Sequence, residues 1–215
     1  MQGADPLAER VVALERIAAL RLPESWTARL PFLEAFEEDW KSVPRAVLIL
    51  AVAFYLLFLF EAARGSGPLL MMDLVFVPVH EGGHLLFRFL GEFLSVAGGT
   101  MLQLAVPLML AGYFVFHRQV QGTAFCIFFF FEQFLPIATY MADARAQELP
   151  LLTVGSGDDV IHDWAYLFGK LGVLAHDTQI ARAVRVLGWL GMIATTAWMI
   201  WRSLRARHNQ VKSSG

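Results

Sequence analysis

His80-Glu81-Gly82-Gly83-His84 sets two imidazoles four residues apart, with a carboxylate beside the first. On an α-helix residues i and i+4 share a face, so both rings can reach one metal ion while Glu81 stands next to whatever that ion holds. The chemistry this suits is metal-assisted hydrolysis, in which a cation acidifies a water and a carboxylate takes its proton. The motif sits in an apolar run, "VPVHEGGHLLFRFL" over Val77–Leu90. An ionisable side chain inside a membrane helix costs roughly 3 kcal/mol or more, so such groups are functional candidates by default. Asp73, Val77, His80, His84 and Arg88 recur at helical spacing and form one stripe. Gly82 and Gly83, between the histidines, leave room for a neighbouring helix or a peptide backbone.

A catalytic zinc site usually has three protein ligands and one open position. Two histidines leave it one short. Asp143 follows "LPIATYMA" on the helical face of Glu132, Pro136 and Tyr140 and is the first choice for the third ligand. The alternatives are His162 and the aspartates Asp158, Asp159 and Asp163, all in "SGDDVIHDW". Thr100, Gln103, Gln133 and His162 are candidates to bind an oxyanion or a substrate strand, with interhelical hydrogen bonding or a loop position as the plainer role. His117, His176 and His208 lie among flanking polar residues and are read as surface groups. The single cysteine, Cys126, excludes an intrachain disulfide and is read as a packing residue.

The elements that must carry these residues are membrane helices. The chain has 215 residues, 57% of them hydrophobic and 17% charged, and a mean hydropathy of +0.53. An apolar layer of roughly 30 Å needs about 20 apolar residues in a helix, and no alternating pattern of barrel strands is present. The expectation is an all-α polytopic membrane helix bundle of five or six spans. They fall at about 44–62, 68–91, 94–116, 122–142 and 181–201, and 164–176 is short enough to be re-entrant or interfacial. Residues 1–43 read as amphipathic helices at the membrane surface, the first with a heptad-like face for self-association. Residues 44–201 form the catalytic bundle and 202–215 a basic tail. Arg202, Arg205, Arg207 and Lys212 in that tail place the C-terminus in the cytoplasm by the positive-inside rule. A net charge of −2 gives no basic field for nucleic acid.

An H-E-x-x-H inside one span, followed two spans later by "QFLPIATYMADA", resembles the site-2 protease family of intramembrane zinc metalloproteases. The similarity covers roughly residues 70–145, with Asp-Ala here where that family has Asp-Gly. It implies Zn²⁺ held by His80, His84 and Asp143, with Glu81 as general base, and a substrate that is a membrane protein or peptide in the lipid bilayer. The expected setting is a bacterial cytoplasmic membrane. The competing expectation is a non-catalytic zinc-binding scaffold or a metal-ion transporter, neither of which needs Glu81.

Overall fold

The computed structural model describes residues 40–64, 68–149 and 162–213, with backbone alone at 68–73 and 206–213. The expected N-terminal amphipathic helices, apart from residues 40–43, lie outside the described residues, as do Asp158, Asp159 and the Asp73 side chain. All regular structure among the described residues is helical. Helix α1, Arg45–Arg64, follows Pro44 and runs without a charged side chain from Ala46 to Phe60. Helix α2, Pro68–Phe87, carries the His-Glu-Gly-Gly-His motif in its second half, just after Pro78. A short 3-10 turn, Arg88–Leu90, and Gly91 at φ +96° reverse the chain. That left-handed backbone suits glycine, which has no Cβ to clash. Helix α3, Glu92–Phe116, then returns along α2.

The α2–α3 hairpin is the most extensive helix pairing in the described chain. Its cause is local: a Cβ added to Gly83 would fall on the backbone of Gly98 and Gly99. Small residues on both partners let the two backbones close together, the usual basis of helix packing where lipid removes the hydrophobic drive.

Helices α4, Val120–Glu132, and α5, Phe134–Ala142, are one apolar stretch broken at Gln133. Pro136 has no amide proton to give the carbonyl of Glu132, so the helical ladder fails at that joint. Helix α6, Asp163–Leu171, is capped at its start by His162, whose Nδ1 accepts from the Ala165 N–H at 3.2 Å, and ends at Gly172, φ +71°. Nine residues make roughly 14 Å of helix, so the expected 164–176 element does not cross the membrane. After a 3-10 turn at Leu174–His176, helix α7, Asp177–Ser213, runs along both α4 and α5. Gly191 accommodates the Phe131 ring on that face.

Four described stretches are long and apolar enough to cross a membrane: Arg45–Arg64, Glu92–Phe116, Val120–Ala142 and Leu174–Arg205. The protein is therefore a membrane protein by length and apolarity. Helix α2 is as long as α1, and its side chains are described from Leu74 onward. Outward faces are apolar, with Ile49, Leu50, Leu85 and Phe89 each about two-thirds exposed or more, as lipid contact requires. Inside, Tyr55, Val120, Phe128 and Met199 pack where α1, α4 and α7 meet, and Ile137, Met141 and Phe168 join α5 to α6. Cys126 is buried as a free thiol.

Candidate metal centre

Helix α2 presents His80 and His84 on one face, their rings 4.8 Å apart and nearly perpendicular. The start of α6 brings Asp163 to them. Asp163 Oδ2 lies 2.9 Å from His80 Nε2 and 3.4 Å from His84 Nε2, and one ligand atom from each of the three side chains fits within 4.8 Å. Ligand atoms bound to zinc at roughly 2.0–2.1 Å stand about 3.3 Å apart at tetrahedral corners, so these separations have the scale of a shared ion. The three side chains could hold a metal ion.

The hydrogen bonds behind the rings decide which nitrogen faces the centre. His84 Nδ1 lies 2.9 Å from the carbonyl of Ser95 on α3, and Ser95 Oγ donates back to the His84 carbonyl at 3.1 Å. His80 Nδ1 lies 3.0 Å from Gln103 Oε1, also on α3. A carbonyl can only accept, so each Nδ1 carries a proton, and each Nε2 turns to Asp163 Oδ2, where it either donates a proton or, with a metal ion between them, offers its lone pair. Two Nε2 atoms and a carboxylate oxygen therefore converge on one point, and with both rings neutral these are three lone pairs. Such a meeting is repulsive unless a cation, either a proton on one ring or a metal ion, sits among them. Burial of Asp163 opposes its ionisation, but the contacts with His80 and His84 outweigh it and hold the carboxyl below its ordinary range.

Gly99 completes the seat. A Cβ there would stand 2.6 Å from His80 Nε2 and 2.7 Å from Cε1, so the ring lies directly on the glycine backbone. Glu81, one residue along from His80, is half-buried and makes no hydrogen bond or ion pair with another described residue. Glu81 follows the first ligand candidate directly on α2. The Tyr140 hydroxyl accepts from the backbone N–H of Asp163 at 3.1 Å.

The structure brings together His80 and His84 as expected, but Asp143 is not in their group. Asp143 lies in the turn after α5, where its two oxygens accept the N–H groups of Glu148 at 2.9 Å and Leu149 at 3.1 Å. Its other neighbour is His162, with Nε2 3.4 Å from Asp143 Oδ2. His162 in turn stacks on Tyr140, ring centroids 4.2 Å apart, and caps α6. Both leading candidates for the third ligand thus lie beside the residue that meets the two histidines, Asp163. The signal for it in the sequence was an aspartate in the first turn of an apolar segment, where negative charge suits a helix N-terminus. Gln103 and Gln133 take the interhelical role, with Gln103 Nε2 donating to Gln133 Oε1 at 2.6 Å. Arg88 is exposed in the turn after α2 and pairs with no described residue.

Comparison with protein-family models, with curated proteins and with solved structures finds no match. The chemistry of the centre is read from its own residues.

Proposed function

We propose that the protein is an intramembrane zinc metallopeptidase that hydrolyses peptide bonds of membrane proteins or membrane-bound peptides, similar in chemistry to the site-2 proteases. The observation that carries this reading is the convergence of three ligand atoms, from His80, His84 and Asp163, with Glu81 next to His80 on the same helix. Two imidazoles and one carboxylate are a donor set typical of catalytic zinc, with a fourth position left for water. Zinc, when bound, supplies a Lewis acid that acidifies water and polarises a carbonyl.

Glu81 accepts the proton of the attacking water and returns it to the leaving amine. The Tyr140 hydroxyl spends only its lone pair on Asp163, and no described residue accepts its proton. It is the donor placed to meet a carbonyl oxygen as negative charge develops there. A substrate helix has its carbonyls engaged within itself, so the segment must unwind to be cut. The basic residues after Trp201 favour a C-terminus in the cytoplasm.

The test uses the purified full chain in detergent, with zinc content and hydrolysis of a quenched fluorescent unfolded protein as readouts. Glu81→Gln should keep zinc and lose about 10²- to 10⁴-fold in rate, the range for removing a general base. A variant as fast as the parent sinks the assignment. A parent chain that holds zinc and cleaves nothing favours a non-catalytic zinc scaffold or a metal-ion transporter.

A further inference from the structure

Behind His80 a line of polar side chains runs through the interior of the bundle. His80 Nδ1 meets Gln103 Oε1 at 3.0 Å, Gln103 Nε2 donates to Gln133 Oε1 at 2.6 Å, and Gln133 Nε2 donates to Glu132 Oε2 at 2.7 Å. Gln103 is 8% exposed, and Gln133 and Glu132 are fully buried. Buried polar groups in an apolar bundle are costly unless every link is made. These links join three helices, α2, α3 and the joint of α4 with α5, and run in one direction.

That direction follows from chemistry at the far end. A carboxylate oxygen accepts, so the Gln133 amide group faces Glu132 and its oxygen faces Gln103. The amide of Gln103 then faces Gln133, and its oxygen is left for His80, whose Nδ1 must carry the proton. The break at Gln133 makes the line buildable, because consecutive residues Glu132 and Gln133 both turn inward at a joint that Pro136 opens.

We propose that Gln103, Gln133 and Glu132 are a positioning relay for the metal centre, holding His80 in the tautomer that presents Nε2 and carrying the negative charge of Glu132 to the back of the ring. This rests on the reading of His80 as a metal ligand. A hydrogen-bonded partner behind a ligand histidine fixes the ring and strengthens it as a donor, and losing such a partner lowers metal affinity by roughly 10- to 100-fold. The unusual element is its length: two neutral amides stand between the carboxylate and the ring, so a residue on another helix governs the site without touching it.

The relay is tested by zinc affinity and by the visible absorption of the Co²⁺-substituted chain, neither of which needs a substrate. Glu132→Gln keeps an acceptor for Gln133 but removes the charge, and should weaken zinc binding by about 10-fold and shift the Co²⁺ bands. Gln103→Leu should weaken it by up to about 100-fold. In the double variant the Glu132 change should add nothing, because the line is already cut; independent sites would instead add. Additive effects, or a Glu132→Gln chain with unchanged affinity and spectrum, overturn the relay. Should Gln103→Leu fail to fold, Glu132→Gln against Gln133→Leu gives the same cycle. Metal binding that survives His80→Ala overturns the metal-centre reading itself, and the relay with it.

Discussion

Asp163 and His80 are 83 positions apart in the chain and meet with Oδ2 2.9 Å from Nε2. His84 Nε2 reaches the same oxygen at 3.4 Å, whereas both oxygens of Asp143 are held by backbone N–H groups of its own turn. Asp163→Ala should therefore abolish stoichiometric zinc binding, a larger loss than the roughly 10- to 100-fold of an outer-shell change. Asp143→Ala should retain one zinc per chain. Metal analysis of the two purified variants checks this, and the reverse pattern would return the third ligand to Asp143.

The motif on α2 was legible because its meaning is local: two residues one helical turn apart share a face wherever the helix goes. Asp163 was legible only as one alternative among several, since its meeting with α2 depends on how α6 approaches across a long connection, which periodicity does not encode. Asp143 looked right on the assumption that one unbroken face runs from Glu132 through Pro136. The break at Gln133 ends that register. Membrane helices and their approximate bounds followed from apolar length, but the number of spans did not. The first turns of the helix bearing the site lie outside the residues whose side chains are described, and nine residues of α6 are too short to cross.

The two glycines between the histidines should respond in opposite ways to alanine. At Gly83 a Cβ meets the carbonyl of Gly98, backbone against backbone, so the hairpin must part at a cost of about 1–3 kcal/mol or more. At Gly82 the nearest atom is Leu102 Cδ2 at 3.9 Å, an ordinary contact. There alanine should stabilise the helix by up to about 1 kcal/mol. Thermal unfolding in detergent distinguishes them, and equal shifts for both would refute the close approach of α2 and α3.

Gly99→Ala aims the same kind of clash at the site. The new methyl would stand 2.6 Å from His80 Nε2, so the ring has to leave its seat while the helix itself gains an alanine. Zinc affinity should fall by at least 10-fold, on the scale of lost ring positioning, with a melting temperature close to that of the parent chain. Unchanged affinity would mean that His80 is not seated on α3.

Asp143 should make the brace under α6 acid-sensitive. Its burial opposes ionisation, but the N–H groups of Glu148 and Leu149 and the neighbouring His162 hold its carboxyl below the ordinary value. A carboxyl with a lower pKa folded than unfolded stabilises the fold above the ordinary carboxylate range, and that contribution drains away as pH falls below about 4. Asp143→Asn should therefore melt lower than the parent at pH 6, with the gap closing towards pH 3. A gap that persists at pH 3 would assign the effect to shape rather than charge.

Tyr140→Phe separates the two uses of one hydroxyl. Its oxygen accepts the Asp163 N–H at 3.1 Å, so its removal leaves a half-buried donor unmet and should cost about 1–3 kcal/mol in stability. The proton of the same hydroxyl has no acceptor among the described residues. If it meets the developing oxyanion, kcat should fall by about 10²- to 10³-fold, as when one oxyanion donor is lost, while zinc stoichiometry and KM change little. Zinc content guards the inference, because Asp163 sits at the other end of the bond that is cut. A variant that keeps its zinc and its full kcat would reduce Tyr140 to a bracket for the start of α6. One that loses zinc would place its contribution in positioning Asp163.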